Sequence, residues 1–473
     1  MDLAIQIYHR MPHQLRSIAA TLRGAYLHSW RYGVETERLV AEAIEREQWS
    51  RERWKLWQAE RLAFVLHRAA TRVPYYRDQW TARRLRGDIR SFEQLENWPL
   101  LEKESIRKNP HAFVADDCQT RRMFHEYTSG TTGKPLDLWW SRQTVRAWYA
   151  LFEARWRRWY GVTMFDRWAI LGGQLVVPTS QSRPPFWVWN IALKQLYMSS
   201  YHLSRGNIPL YLDALKRHRI VYLFGYTSAL YELACEALRL GRTDMKMTVA
   251  IANAEPVFPY QRETISRAFQ CPVRATYGMA EIVAAAGECN VGALHVWPEV
   301  GLLEMFEDGN VTPGALQGEI VSTGLINADM PLIRYRVGDM ATLRTDSIGC
   351  SCGRTMPLMD EIEGRNDDIL LTVDGRRIGR LDPVFKVRLP IREAQIIQES
   401  LSKIRVLVVP DDGFSNSAAN EIIEQIQARL GKIEVVTEPV EKIPRTANGK
   451  FQAVRSKLSR QALPGQLCPP SKK

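Results

Sequence analysis

The chain has 473 residues, 45% of them hydrophobic and 25% charged, proportions of a globular protein that exclude a disordered or fibrous one and a length that calls for two or three domains. No apolar run reaches the roughly 18 residues of a membrane span, and the opening MDLAIQIYHRMPHQLRS lacks a signal peptide's apolar centre and cleavage site, so a cytoplasmic location is expected. The formal net charge of +12 fits a solvated arginine-rich surface or attraction to phosphates, an acidic substrate or a membrane surface, whereas nucleic acid is disfavoured because no zinc-finger spacing or ribonucleoprotein motif is present.

The first hundred residues read as mostly helical. Apolar residues recur at helical spacing from Val34 to Val73, without glycine or proline until Pro74. A basic, tryptophan-rich segment spans Ser141 to Tyr160, with Val145, Trp148, Phe152, Trp156 and Trp159 on one helical face. Such a stripe could meet a membrane, but aromatic residues at this spacing more often face a core. From Asp166 to Thr276 strand-like runs (RWAIL, IVYLF, TVAIA, VRATY) alternate with helical patterns at Pro209–His218, Ser228–Leu240 and Pro259–Phe269. That alternation predicts an α/β layered domain. After Val300 the pattern turns strand-rich. The tail has its own set: IRVLVVP, a helix from Asn420 to Leu430, and IEVVTE. The expected organisation is a large N-terminal α/β domain over residues 1–363, its first hundred residues helical. A hinge at 364–368 and a small mobile C-terminal α+β lobe over 369–473 complete it.

The stretch HEYTSGTTGKPL places hydroxyls at Thr128, Ser129, Thr131 and Thr132 among Gly130 and Gly133, followed by Lys134. It is not a Walker A loop, which needs four residues between its glycines and a hydroxyl residue after the lysine; here two residues intervene and Pro135 follows. The physical logic is still that of a phosphate cradle, because glycines allow close backbone approach and hydroxyl and amide groups donate. By itself such a cluster is more often a surface loop. Five further motifs follow in order: ANAEP from Ala252, TYGMAE from Thr276, IRYRVGD from Ile333, EGRNDDIL from Glu363 and KIPRTANGKFQ from Lys442.

Together these motifs resemble the adenylate-forming superfamily of acyl-CoA synthetases and peptide-synthetase adenylation domains. VPYYRDQW (Val73–Trp80) and WPLLEKESIR (Trp98–Arg107) are similar to the phenylacetate–CoA ligase branch, including its capsular-polysaccharide-associated, CapK-like members. The resemblance implies a ligase that joins a carboxylic acid to AMP from ATP, releases pyrophosphate and passes the acyl group on. In that pattern Thr128, Ser129, Gly130, Thr131, Thr132, Gly133 and Lys134 hold the β- and γ-phosphates. Ala254, Glu255 and Pro256 lie along the adenine; Thr276, Tyr277 and Gly278 belong to the same nucleotide site, with Tyr277 stacked on the base. Glu281 would hold Mg2+, Asp339 the ribose hydroxyls, and Lys450 the charge on the carboxylate and α-phosphate. Arg365 and the pivot Asp367 match the hinge, about which the lobe would turn after adenylation. Arg377 resembles an α-phosphate contact, and its neighbour Arg376 is not separated from it by sequence. Taken singly, each position has an ordinary reading: a helix-start acid for Glu281, a turn aspartate for Asp339, an exposed lysine for Lys450.

Seven cysteines are few and odd in number, which argues against a disulfide framework. Cys289 and His295 in ECNVGALH, with Cys350 and Cys352 in GCSCGR, make a donor set suited to structural Zn2+, although the spacings depart from those of zinc fingers. The phenylacetate–CoA ligase resemblance implies a comparable cluster; the alternative is four unrelated small buried residues. Cys118, Cys235, Cys271 and Cys468 read as packing or surface residues.

The expected reaction is acid activation with coenzyme A as acceptor. The alternatives are transfer to an amine or hydroxyl, such as a polysaccharide precursor, and a non-catalytic nucleotide-binding scaffold. Retention of Glu281, Asp339 and Lys450 counts against the scaffold. A membrane-associated protein acting through the tryptophan-rich face is a further reading. The acid is expected to contact Leu171–Gln174, Phe224–Thr227 and Ala252–Asn253, and an aromatic or medium-sized acid follows by analogy only. Oligomeric state is not indicated.

Overall fold

Helices come first because the opening sequence offers an apolar face every three or four residues. They are α1 (Leu3–Arg10), α2 (His13–Arg31), α3 (Thr36–Arg46), α4 (Arg51–Arg72) and α5 (Pro74–Leu85). The structure, a computed structural model, describes residues 3–128, 136–178, 180–242, 244–307, 309–312, 314–344, 349–365, 370–371, 377–378, 389–430, 432–445 and 451–458. The periodic pattern from Val34 to Val73 is divided between α3 and α4. Ser50 caps the second helix, its Oγ accepting from the Arg53 N–H at 3.3 Å. Pro74 occupies the first turn of α5, where its missing N–H costs nothing.

One unit comprises residues 1–257 and 261–362. After α6 (Lys103–Lys108), β1 (Phe124–Tyr127) and β2 (Asp137–Trp140) form an antiparallel hairpin, followed by α7 (Arg142–Trp156). The alternating region then supplies β3 (Trp168–Gly172), β4 (Trp187–Asn190), β5 (Gln195–Ser199), α8 (Ile208–Arg217), β6 (Tyr222–Tyr226), α9 (Thr227–Arg239), β7 (Val249–Asn253), α10 (Pro259–Phe269) and β8 (Val273–Gly278). The strand-rich region adds β9 (Ala285–Glu288), β10 (Leu294–Val296), β11 (Gly301–Glu307), β12 (Asn310–Val311), β13 (Gln317–Gly324), β14 (Tyr335–Leu343) and β15 (Leu358–Arg365). These join in one sheet of order β12-β11-β13-β14-β15-β10-β9-β8-β7-β6-β3-β5-β4. β8, β7, β6, β3 and β5 run parallel, and β8 pairs antiparallel with β9. β8 is therefore the strand at which the sheet changes character. β6 is buried at all five positions, as a central parallel strand requires.

The aromatic stripe of α7 faces inward. Val145, Trp148 and Trp156 are buried, and Trp156 lies 4.9 Å from Trp297 between ring centroids. The α-helix ends at Trp156, so Trp159 sits on the following 3-10 turn. This face is core and is not available to a membrane.

The other unit contains residues 363–473 with Phe258–Tyr260. Its elements are β16 (Leu370–Leu371), β17 (Arg377–Ile378), β18 (Ile391–Ser400), β19 (Lys403–Pro410), α11 (Asn416–Leu430), β20 (Glu434–Pro439) and β21 (Val454–Ser456). Four strands pair in the order β20-β19-β18-β21. α11 begins a turn before the expected Asn420 because Ala418 extends its apolar stripe. Ala418, Ile422, Ile426 and Leu430, spaced by four, are all buried; the last three share a core cluster with Ile396, Ile404, Val406 and Val408 of the sheet. Among the described residues no helix is long and apolar enough to cross a membrane.

Candidate functional site

Thr128 and Leu136, which flank the hydroxyl-rich stretch in the sequence, continue the pairing of the β1–β2 hairpin. The Thr128 N–H donates to the Leu136 carbonyl at 3.1 Å, and Thr128 Oγ1 accepts from the Leu136 N–H at 3.0 Å. His125 Nε2 lies 2.8 Å from Asp137 Oδ1 and its ring stacks on Trp139. Ser129, Gly130, Thr131, Thr132, Gly133 and Lys134 lie outside the described residues.

At the carboxyl end of β7 the chain turns through Ala254, which has φ +61°, a conformation that side chains other than glycine, Asn and Asp seldom adopt. The Glu255 carboxylate accepts from the Ser228 N–H at 2.8 Å and from Ser228 Oγ at 3.1 Å, the arrangement expected of an acid at the start of a helix, here α9. Glu255 thus anchors the turn that carries Pro256. The next strand is tied in by Thr276 Oγ1, which donates to the Ala252 carbonyl at 3.0 Å.

Two bonds bring TYGMAE and IRYRVGD together. The Tyr277 hydroxyl donates to Asp339 Oδ2 at 2.8 Å, and the Tyr335 hydroxyl donates to Glu281 Oε1 at 2.8 Å. Tyr335 and Asp339 both lie on β14. Glu281 is buried, and the bond from Tyr335 fixes the position of its carboxylate. Lys103 Nζ stands 3.9 Å from Glu281 Oε1 and donates to the Val337 carbonyl at 3.2 Å. Gly338, at φ +88° inside β14, lies between Arg336 and Met340, where the register with β13 shifts, a backbone conformation that an L side chain would strain. A Cβ at Gly278 would stand 3.0 Å from Trp156, so the end of β8 packs directly on the α7 aromatic core. Lys103 and Tyr335 were given no role from the sequence, although both sit inside quoted motifs. Their contacts with Glu281 join positions 178 and 54 residues away in the chain.

The segments expected to receive the acid meet at adjacent strand ends. Leu171 pairs with Gly225, Gly225 with Ala252, and Tyr226 with Asn253. The carboxyl edge of a parallel sheet is where open α/β folds bind ligands. A Cβ at Gly225 would lie 2.5 Å from the Leu171 carbonyl, so glycine is required there by strand packing. In the other unit the backbones of Arg365 and Arg377 lie in β15 and β17, and Asp367, Arg376 and Lys450 fall outside the described residues.

The second cluster is a candidate metal centre. The ligand atoms of Cys289, His295, Cys350 and Cys352 all lie within 4.8 Å of one another. Cys289 Sγ and Cys350 Sγ are 3.8 Å apart, and Cys352 Sγ is 3.3 Å from His295 Nε2. Tetrahedral Zn2+ at about 2.3 Å from each sulfur would separate two thiolates by about 3.8 Å. The donors therefore fit the ion. His295 Nδ1 lies 3.3 Å from the Met356 carbonyl, which turns Nε2 toward the cluster. Burial pushes the His295 imidazole down to about 4, which keeps its lone pair free for a metal. The ligand loops are held from behind. Glu47, just past α3, accepts from Arg354 Nε at 2.8 Å and from Trp159 Nε1 at 2.7 Å.

Residues 370–457 match the family model of the CapK C-terminal domain. Protein CapK of Staphylococcus aureus is 26% identical over 374 residues, which cover 77% of this chain and 81% of that protein. The phenylacetate-coenzyme A ligase of Thermus thermophilus is 24% identical over 457 residues, covering 85% and 96% respectively. Among solved structures, 2-hydroxyisobutyryl-CoA ligase in the postadenylation state with 2-HIB-AMP superposes with a TM-score of 0.66 at 19% identity, over 88% of this chain and 92% of that one. The chain is thus a homologue of CapK and the phenylacetate–coenzyme A ligases, with the α/β fold of an adenylate-forming coenzyme A ligase.

Proposed function

We propose that the protein is an ATP-dependent ligase that converts a carboxylic acid to an acyl-adenylate and transfers the acyl group to coenzyme A. The observation that carries the proposal is the paired contact Tyr277–Asp339 and Tyr335–Glu281. It sets two carboxylates and a tyrosine ring, the groups a magnesium nucleotide needs, at the end of β8. Relatives named as phenylacetate-coenzyme A ligases support the same reading.

In the first half-reaction a carboxylate oxygen attacks the α-phosphorus, and the bond to the β-phosphate breaks with its electron pair leaving on pyrophosphate. In the second, the coenzyme A thiolate attacks the acyl carbon and AMP departs. Every participant is anionic, so orientation and charge neutralisation are the main work of the protein. Thr128 and the loop beyond it hold phosphates, Tyr277 stacks on adenine beside the Ala254–Pro256 turn, and Asp339 accepts from the ribose hydroxyls. Glu281 would hold Mg2+, which would supply charge neutralisation to the anionic reactants. Tyr335 fixes that carboxylate, and Lys103 adds a cation beside it. Lys450, with Arg365 and Arg377, brings positive charge to the α-phosphate, and Asp367 is the pivot. The Cys289–His295–Cys350–Cys352 set would hold a structural Zn2+, with four protein donors completing its coordination. ATP and coenzyme A as co-substrates fit a cytoplasmic location.

The test is a panel of carboxylic acids incubated with ATP and Mg2+, with AMP and pyrophosphate measured with and without coenzyme A. Acid-dependent AMP release together with a thioester product is expected. ATP binding with no acid able to promote pyrophosphate exchange would replace this reading by the scaffold. Product formed only with amine or sugar-hydroxyl acceptors would change the second half-reaction alone.

A further inference from the structure

The surface of α2 combines two properties that proteins usually keep apart. Leu15, Ile18, Leu22 and Tyr26, spaced three to four residues apart, form one exposed stripe, with Leu22 69% accessible. Ile7 on α1 is also exposed, and the Ile191 N–H bonds to Thr21 Oγ1, which brings another exposed apolar residue beside the helix. Residues 3–34 contain four arginines and no aspartate or glutamate. Arg10 and Arg23 are exposed. Arg16 is buried, with Nε and Nη1 unbonded to any described residue. At the far end of the helix exposed Arg142 donates to the Ser29 carbonyl at 3.0 Å and covers Trp30. The carboxylate that responds to Arg23 and Arg31 is Glu126, itself half-buried.

A leucine-rich stripe flanked by arginines and free of acids is the chemistry of a helix lying in a bilayer interface, its apolar side chains among acyl chains and its guanidinium groups at anionic headgroups. We propose that α1 and α2 dock this protein on the surface of an anionic phospholipid membrane, with the stripe from Leu15 to Tyr26 inserted and Arg10 and Arg23 at headgroup level. A second copy of the chain fits less well, because self-association would place two arginine-bearing helices, neither with an acid of its own, against each other. The inference goes beyond the proposed ligase reaction and does not depend on it. The docking helix is α2, in place of the tryptophan stripe of α7, which is core.

The experiment is flotation of the full chain with vesicles of phosphatidylcholine alone or mixed with phosphatidylglycerol. Binding to the anionic vesicles only, weakening as salt rises, is expected. Leu15→Ser with Leu22→Ser should lower partitioning at least about tenfold, and Arg10→Gln with Arg23→Gln on the order of tenfold. Arg51→Gln with Arg267→Gln removes the same charge from other exposed positions and should leave binding within about twofold if the site is local. Absence of wild-type flotation, equal loss in the Arg51/Arg267 control, or a solution dimer that Leu15→Ser with Leu22→Ser dissolves without any vesicle binding would each overturn the proposal. Circular dichroism confirms that the surface variants remain folded.

Discussion

The Tyr335 ring is fully buried in the core while its hydroxyl reaches Glu281. Tyr335→Phe therefore removes one hydrogen bond to a charged group and leaves the packing intact. A loss of about 1.5–3 kcal/mol translates into acid-dependent pyrophosphate exchange slowed roughly ten- to hundredfold. The Mg2+ concentration for half-maximal rate should rise, which a purely structural role would not produce; unchanged Mg2+ dependence would remove Tyr335 as a positioning residue. Arg155 tests a different kind of contact. It is completely buried, with Nη1 and Nη2 bonded to Glu299 at 2.9 and 2.7 Å. Arg155→Met leaves the Glu299 carboxylate without this partner and should cost about 3–5 kcal/mol by denaturant unfolding. Adding Glu299→Leu should restore part of that loss, because two well-packed apolar side chains can replace a buried pair. At this scale the sequence announced residue types and could not announce partners. Asp339 was marked by its motif, whereas Lys103 and Tyr335 acquired meaning only from what they touch.

Elements show why local pattern carries some conclusions and fails at others. β3, β6, β7 and β8 lie where RWAIL, IVYLF, TVAIA and VRATY predict them, since short apolar runs between helical patterns have few other solutions. The break between α3 and α4 was not marked by glycine or proline. Its local mark is the capping Ser50, and it falls beside buried Glu47, whose contacts with Arg354 and Trp159 no window of neighbouring residues reveals. Long-range contact likewise organises the candidate metal centre, whose ligands come from the β9–β10 hairpin and the loop at Cys350. Native mass spectrometry should find one zinc per chain in the wild type and none in Cys350→Ser with Cys352→Ser. Chelation should lower the wild-type melting temperature and leave that variant unmoved. Metal-free wild type of undiminished stability would dissolve the site.

For the whole molecule, Tyr277, Glu281 and Asp339 belong to the first unit, whereas the sequence position of Lys450 falls in the range 363–473 of the second. Adenylation as proposed needs that lysine at the nucleotide. Lys450→Ala should abolish acid-dependent pyrophosphate exchange, a fall on the order of a hundredfold or more, while ATP affinity measured by calorimetry stays within about threefold of wild type. Exchange at the wild-type rate would reassign the role of the tail. The net charge of +12 also belongs to this scale. Composition alone could not say whether it served phosphates, a substrate or a membrane; the proposed docking face is distinguished by the exposed apolar stripe of α2 and by the absence of aspartate and glutamate from residues 3–34.

Read alone, the amino-acid order determined the fold class, the principal helices and strands, and the residue types capable of nucleotide and metal chemistry. These follow from short-range periodicity, turn chemistry and motif spacing, all written within a few tens of residues. Tertiary structure decided which aromatic stripe is core and which apolar face stays exposed. It also decided that Tyr335 and Lys103 attend Glu281 and that four donors scattered over sixty-four positions gather within 4.8 Å. Those outcomes depend on contacts between segments distant in the chain, and burial and pairing exist only once the segments have packed.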